Sequence, residues 1–184
     1  MTSAPGTTPV RRLPSWTVVA AGAVTAAAMV ATPLLPQGGR GRRVLSSVVV
    51  CGMFSTTTGA VVRRWGPTRG LGAASAVVGT TYAVERLGTT TGRPFGGYGY
   101  SDAIRPRLAG VPMIVPLAWF AMAVPARESA HAALGTRSDR LRRGVLGAAA
   151  LTAWDLFLDP QMVGEGYWRW HRAGTYRGLR DHGR

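Results

Sequence analysis

Apolar stretches separated by short clusters of arginine organise most of the chain. A helix rises about 1.5 Å per residue, so about 20 apolar residues are needed to cross roughly 30 Å of hydrocarbon. Five windows approach or reach that length and carry charge only near their C-terminal ends: 16–35, 44–62, 71–87, 108–126 and 144–159. This pattern predicts an all-α fold, a polytopic transmembrane helical bundle of about five spans. We expect a multi-pass protein of the cell membrane.

The limits of the predicted membrane domain follow from local signals at its two ends. Arg11 and Arg12 precede the first window, which also fits a cleavable signal peptide, but its core is long for a signal and further apolar windows follow. The fifth window is expected to stop at Asp159-Pro160, because the residue before a proline is biased away from helix. We therefore expect an N-terminal tail over 1–12, a transmembrane helical domain over 13–160 and an aromatic, Arg-rich C-terminal tail over 161–184.

The charge of the chain is strongly basic, with 22 basic residues against 8 acidic ones and a net charge of +14. Every basic residue is arginine, and the arginines lie between the apolar windows instead of along one face, so we expect the lipid bilayer and not nucleic acid as the partner. Their nearly equal division between the two predicted membrane sides leaves the orientation open. The single Cys51 and three histidines without metal-ligand spacing predict neither a disulfide framework nor a metal site.

Three carboxylates lie inside the predicted spans. Asp155 and Asp159 are four residues apart and therefore share one face of the last helix, while Glu85 lies near the end of the third window. A charge at membrane depth costs about 3 kcal/mol on insertion scales, which marks such a residue as functional by default. The alternative is an interfacial position, with Glu85 paired to Arg86 and Asp159 ending its helix. Because the third and fifth helices run in the same direction, the three carboxylates can share one pocket.

Two segments combine glycine with aromatic residues. The segment 92–100 is a Gly-rich loop between the third and fourth windows, and it either lies in the membrane interface or lines a channel for an apolar substrate. The segment 166–170 either anchors the chain in the interface or belongs to the same channel mouth. The candidate substrate-binding residues are Phe95, Tyr98, Tyr100, Trp119, Trp154 and Trp168.

Five motifs in the second half of the chain, taken in order, resemble a known family. They are Glu85 with Gly88; Thr-Gly-Arg-Pro-Phe-Gly-Gly-Tyr at 91–98; Val-Pro at 111–112 with Pro-Leu-Ala-Trp at 116–119; Thr-Ala-Trp-Asp-Leu at 152–156 with Leu-Asp-Pro at 158–160; and Gly-Tyr-Trp-Arg-Trp at 166–170, followed by Gly-Thr-Tyr-Arg-Gly at 174–178. The set resembles the integral membrane carotenoid biosynthesis proteins, which include carotenoid 1′,2′-hydratases and bacterioruberin-pathway hydratases. Residues 1–80 resemble the family only in being hydrophobic.

The resemblance implies addition of water to the terminal double bond of an acyclic carotenoid, catalysed without a cofactor by a carbon–oxygen lyase. Such a reaction needs a protonated carboxylic acid and a second carboxylate that steadies the cation or activates water. In this reading Asp155 is the acid, and Asp159 or Glu85 is the second group. The resemblance also implies association with other membrane enzymes of the pathway. The family pattern continues into an Asn-Phe-Gly-Trp type motif and further helices, so the chain resembles a C-terminally shortened relative.

Two other functions fit parts of the sequence. A membrane prenyl transferase would use aspartates to hold magnesium and a diphosphate, but such enzymes carry clustered aspartates in more than one motif, and here there is one pair. A non-catalytic carotenoid-binding or assembly subunit would need no reacting carboxylate, and its pigment binding would survive replacement of Asp155.

Overall fold

Five α-helices in succession make up most of the protein. The computed structural model describes residues 15–94, 96–135 and 139–171. The helices are α1 (Ser15–Ala31), α2 (Arg40–Trp65), α3 (Pro67–Thr91), α4 (Ile114–Leu134) and α5 (Arg140–Gly164), and a 3-10 turn (Thr32–Leu34) follows α1. The predicted helical fold is thus confirmed in outline. Of the described helices, two segments, Trp16–Leu34 and Arg40–Trp65, are long and apolar enough to cross a membrane by length and composition.

The last helix does not stop at Asp159-Pro160, so that prediction is wrong. A proline inside a helix removes one backbone donor and crowds one carbonyl, and α5 accommodates Pro160 and continues to Gly164. It ends where Gly166 adopts a positive φ of 72° and Tyr167 N bonds to Met162 O. The first residues of the predicted tail, 161–164, therefore belong to the helical domain. The predicted N-terminal tail and the residues after 171 lie outside the described residues.

The fourth helix begins later than its apolar window. A small hairpin of β2 (Arg107–Leu108) and β3 (Val111–Pro112) occupies the start of the window, and α4 follows at Ile114. Ala109 and Gly110, the two turn residues, both have positive φ, as a tight two-residue hairpin turn requires. Hydrophobicity alone does not distinguish this hairpin from helix, because its second strand, Val111–Pro112, is apolar and fully buried.

The core lies between α2, α3 and α4. Val61, Ala74 and Phe120 form its buried centre, and the rings of Phe54 and Phe120 meet edge to face at 5.6 Å. On one side α1 packs against α2, where Gly52 lets the two helices approach. A Cβ on Gly52 would lie 2.1 Å from Thr25 Oγ1, so only glycine fits. On the other side α5 packs against α4.

Successive helices run antiparallel, so the bundle has two distinct ends. We call the end that carries the C-termini of α1, α3 and α5 the sheet end, and the opposite end the turn end. At the sheet end, β1 (Tyr98–Tyr100) pairs antiparallel with β4 (Trp168–Trp170). The segment predicted as a Gly-rich loop therefore contains a strand, and its partner comes from the segment after α5. The turn end holds the α2–α3 turn at Gly66 and the α4–α5 connector.

Candidate functional site

Glu85 is a buried carboxylate at the sheet end, only 7% exposed. It lies on α3 and accepts three hydrogen bonds from other elements. The hydroxyls of Tyr98 and Tyr100 donate to Glu85 Oε2 at 2.6 and 2.7 Å, and Trp119 Nε1 of α4 donates to Oε1 at 3.0 Å. Every one of these contacts is a donor to the carboxylate, so together they match its ionised form.

The strand geometry of β1 explains why two tyrosines reach one oxygen. Side chains two residues apart on a strand point to the same face, which places Tyr98 and Tyr100 side by side above Glu85. Gly88, about one turn after Glu85 on α3, leaves room for the first ring. A Cβ on Gly88 would lie 2.8 Å from the Tyr98 hydroxyl oxygen and 3.2 Å from Cε1 of its ring. The glycine is therefore part of the geometry that brings Tyr98 to the carboxylate.

Pairing with β4 adds two tryptophans to this aromatic cluster. Tyr98 faces Trp170 across the strands and Tyr100 faces Trp168, with ring centroids 5.3 and 6.0 Å apart. His171 continues the pairing by donating its backbone amide to Gly97 O at 2.7 Å. The four rings form a continuous cover over the sheet end of the helices. Aromatic faces carry partial negative charge and attract cations.

The two aspartates of α5 belong to the same end but differ in their contacts. Asp159 Oδ1 accepts a hydrogen bond from Trp168 Nε1 at 2.9 Å. Asp155 interacts electrostatically with both Asp159 and Glu85, yet among the described residues it has no hydrogen-bond or ion-pair partner. The three predicted carboxylates therefore lie at the same end of the bundle but differ in their hydrogen bonding. Among the described residues, Glu85 accepts from three donors, Asp159 from one and Asp155 from none.

The environment of the two tyrosines keeps their hydroxyl protons in place. Burial, and then the hydrogen bond to Glu85 and its charge, raise the pKa of Tyr98 above its ordinary value. Burial and the charge of Glu85, together with the hydrogen bond to it, raise the pKa of Tyr100 further. Both hydroxyls therefore remain donors over the physiological pH range, and neither serves as a base.

The sheet joins helices that otherwise do not pack closely. α3 and α5 both pack on α4 more than on each other, while β1 contacts α3 and β4 contacts α5. Glu85 and the α5 aspartates therefore lie on separate helices, with Trp119 of α4 between them in the helix order and the paired strands bridging them at the sheet end. This arrangement fixes the carboxylates relative to each other through hydrogen bonds to aromatic side chains.

Not every predicted substrate-binding residue joins this cluster. Trp154 is 40% exposed, contacts the ring of Phe157 and makes none of the hydrogen bonds to Glu85. Phe95 lies outside the described residues. Tyr167 was not among the candidates from the sequence, yet it is buried, and its hydroxyl has no partner among the described residues. Only its position beside Trp168, inside the aromatic motif at 166–170, pointed to it.

Comparison with known proteins agrees with the motifs that surround this cluster. The family model for carotenoid biosynthesis proteins matches residues 43–179, which is most of the chain. The match begins at residue 43 and includes most of α2, where the sequence had shown only general hydrophobicity. No match was found among curated proteins or among solved structures. Membership of the family, together with two helices apolar enough to cross a bilayer, indicates a membrane protein. The chain belongs to the carotenoid biosynthesis protein family.

Proposed function

We propose that the protein adds water to the terminal carbon–carbon double bond of an acyclic carotenoid end group. The observation that carries the proposal is the different hydrogen bonding of the three carboxylates at the sheet end. An acid-catalysed hydration needs one carboxyl group free to give a proton and another negative group nearby. Asp155 has no competing partner among the described residues, while Glu85 is held by three donors.

Asp155 is the general acid in this proposal. A carboxylic acid can transfer its proton only if no stronger local partner holds it, and the charges that act on Asp155 are those of two other carboxylates, Asp159 and Glu85. Its proton goes to the less substituted carbon of the double bond, where a carbon–hydrogen bond forms as the π bond breaks. The electron deficit is left on the more substituted carbon as a tertiary cation. Asp155 becomes a carboxylate.

The cation is stabilised by Glu85 and by the aromatic cover. Glu85 is fixed in an orientation that matches its ionised form, and the faces of Tyr98 and Tyr100 are rich in electrons. Water then forms a carbon–oxygen bond to the tertiary carbon, and Asp159 accepts the proton that the water loses. The sum is one alkene plus one water giving one tertiary alcohol, with no change in oxidation state of the protein and no cofactor. Transfer of that proton from Asp159 to Asp155, directly or through water, restores both carboxyl groups and completes the cycle.

We also propose that all five helices span the cell membrane, so that the substrate enters from the bilayer. The apolar residues beside the carboxylates are exposed on the outer faces of α3 and α5, among them Leu87 at 52% and Phe157 at 63%. Such side chains suit contact with lipid tails or a polyene chain. Glu85 lowers the mean hydropathy of α3, and Asp155 and Asp159 lower that of α5.

The proposal is tested by expressing the full chain in cells that accumulate lycopene and analysing the extracted pigments by mass spectrometry. We expect products heavier by one water for each modified end group. Asp155→Asn keeps the shape of the side chain but removes its acidic proton. It should reduce product by at least about 100-fold, since a general acid contributes about 10² to 10⁴ in rate. Asp102→Asn is the matched control, because Asp102 is exposed and lies outside the site.

The outcomes also separate the two rival functions. If the pigment stays unchanged and copurifies equally with the original chain and with Asp155→Asn, the protein has a non-catalytic carotenoid-binding or assembly role and not a hydratase activity. Product formation that depends on magnesium and on an added prenyl diphosphate would instead establish a prenyl transferase. Equal loss of product in Asp102→Asn and Asp155→Asn, at equal protein levels, would remove Asp155 from the mechanism.

A further inference from the structure

A second group of polar residues lies at the turn end, away from the carboxylates. The ends of α2 and α4 and the first turn of α5 enclose a half-open cavity of about 390 Å³. Arg143 and Asp155 share α5 and are about 18 Å apart along its axis, at about 1.5 Å per residue. The cavity is therefore separate from the site proposed for hydration. We call it the arginine pocket, and its lining includes Arg64, Trp65, Arg127, Glu128, His131 and Arg143.

The arginine pocket carries an excess of positive charge. Among the described residues that line it, only Glu128 is acidic, and its carboxylate already pairs with Arg127 beside it. Within the described ranges Arg64 and Arg143 form no ion pair. Arg143 also lies in the first turn of α5, where the helix dipole places partial positive charge. The pocket therefore has the electrostatic character of an anion site.

Unsatisfied buried donors point to the same conclusion independently of charge. Arg143 Nε is buried and has no hydrogen-bond partner in the part of the chain that the structure describes, and the same holds for both ring nitrogens of His131. Buried polar atoms are normally paired, and leaving them unpaired is unfavourable. A bound group with several acceptor oxygens would satisfy Arg143 and one imidazole N–H together.

Trp65 indicates how deep in the membrane this pocket lies. Its ring sits under the guanidinium of Arg127, with Cζ 5.2 Å from the ring centroid. Tryptophan at the end of an apolar helix is typical of the interface between hydrocarbon and headgroups. α2, which ends at Trp65, is one of the two helices apolar enough to cross a bilayer. The pocket thus lies where phosphate groups of lipids are found, and arginine forks match their paired oxygens.

We propose that the arginine pocket binds a phosphate group, presented by an anionic phospholipid of the surrounding leaflet. Arg143 and His131 contact its oxygens, and Arg64 supplies further positive charge at the rim. The interaction holds α2, α4 and α5 together at the turn end. Among the described residues, that end has no sheet like the one that joins the helices at the sheet end. A free phosphate has the same oxygens and is distinguished by experiment.

The test uses the full chain in nanodiscs of phosphatidylcholine. Phosphatidylglycerol is titrated in one arm and inorganic phosphate in another, and the shift of the unfolding temperature, followed by tryptophan fluorescence, gives an apparent Kd. We expect saturable stabilisation by phosphatidylglycerol, weakened about tenfold or more in Arg143→Gln. Arg69→Gln is the matched control, since Arg69 is exposed at the same end of the bundle but outside the pocket, and it should change the apparent Kd by less than about twofold.

Each outcome decides the proposal. Saturable stabilisation by inorganic phosphate alone, lost in Arg143→Gln, would support the pocket and identify free phosphate as its ligand. Equal weakening by Arg69→Gln and Arg143→Gln, or no saturation with either probe, would show diffuse surface charge and overturn it. If Arg143→Gln does not fold, His131→Gln takes its place, with an expected weakening of at least about threefold, and an unchanged Kd in that variant would also overturn the proposal.

Discussion

At the scale of single residues, the contacts of Glu85 determine how the sheet end is organised. Its three donors come from β1 and α4, so each hydrogen bond satisfies a buried acceptor and also joins an element to α3. Hydrogen bonds to a charged group are roughly twice as strong as those between neutral groups. Glu85 is therefore a structural centre as well as a charge beside Asp155.

Tyr98→Phe tests the first of these bonds. The change removes one donor from the buried carboxylate and leaves the ring in place beside Gly88 and Trp170. We expect the free energy of unfolding to fall by about 1–3 kcal/mol, the usual cost when a buried charged group loses a partner. Thermal unfolding of the purified protein in detergent measures the change.

Tyr82→Phe is the matched control for that experiment. The Tyr82 hydroxyl donates to Leu108 O at 3.2 Å in an exposed position, so its loss should change stability by less than about 0.5 kcal/mol. Equal effects of the two substitutions would contradict the central role of Glu85, because they would show that any tyrosine hydroxyl near the hairpins contributes the same amount.

The two buried tyrosines also predict an alkaline pH dependence. Burial, with the neighbouring Glu85, raises the pKa of Tyr98 and of Tyr100 in the folded protein. Above about pH 10, the ordinary tyrosine value, the folded state therefore binds more protons than the unfolded state. Stability from these groups is complete below that pH and is lost as the pH rises further.

Absorbance of tyrosinate at 295 nm measures this difference directly. Of the five tyrosines in the chain, two should remain protonated in the folded protein at a pH where the denatured chain has ionised all of them. In the double variant Tyr98→Phe with Tyr100→Phe, this difference of two protonated tyrosines between the folded and denatured protein should disappear. A gap of the same size in the double variant would assign it to other tyrosines.

Single residues of the site were visible in the sequence, but their relation was not. The cost of burying charge selected Glu85, Asp155 and Asp159, and the family motifs selected Tyr98 and Trp119. Spacing along the chain cannot show that two hydroxyls reach the same oxygen of Glu85, since that depends on the face of a strand the sequence did not reveal. The contrast between Glu85, which accepts three hydrogen bonds, and Asp155, which has no partner among the described residues, likewise depends on the three-dimensional structure.

At the scale of elements, the three-residue strands β1 and β4 have the largest effect on the site. The helices were predictable because each one contains a mostly apolar stretch that approaches or reaches the length needed to cross a bilayer. β1 and β4 are too short to show an alternation, and each acquires its structure from a partner about 70 residues away. The glycine and aromatic residues at 92–100 therefore indicated a loop, whereas residues 98–100 form a strand because they pair with β4.

Arg169→Pro tests the contribution of that pairing. Hydrogen bonds from His171 N to Gly97 O and from Ser101 N to Tyr167 O flank the register pair Gly99 and Arg169, which makes this pair a hydrogen-bonded one. Proline removes its donor. We expect a loss of about 1–3 kcal/mol in the free energy of unfolding, measured by thermal denaturation.

Arg169→Ala separates the backbone from the side chain. The Arg169 side chain is exposed, so alanine should stay within about 0.5 kcal/mol of the unmodified chain. A loss with alanine as large as that with proline would attribute the effect to the arginine itself and contradict a structural role for the β1–β4 pairing.

At the scale of the whole molecule, a buried ion pair joins distant parts of the chain at the sheet end. Arg42 Nη2 and Glu165 Oε1 are 2.7 Å apart, and both side chains are mostly buried. Arg42 also donates to Leu35 O, and Gly38 N donates to Glu165 Oε2. The connector between α1 and α2 is thereby held against the end of α5. This places the connectors 32–39, 92–113 and the segment after α5 on the same side of the protein.

That arrangement makes the proposed five-span topology testable with single cysteines. In a Cys51→Ala background, Gln37→Cys and Asp102→Cys lie at the sheet end, while Thr68→Cys and Arg140→Cys lie at the turn end, and all four positions are exposed. A membrane-impermeant maleimide added to sealed vesicles should label one pair and spare the other, because five antiparallel spans put the two ends on opposite sides. Permeabilised vesicles should label all four. If only α1 and α2 crossed the bilayer, no span would separate positions 68, 102 and 140, and cysteines there would react alike. The five-span topology instead requires that the cysteine at position 102 reacts differently from those at positions 68 and 140.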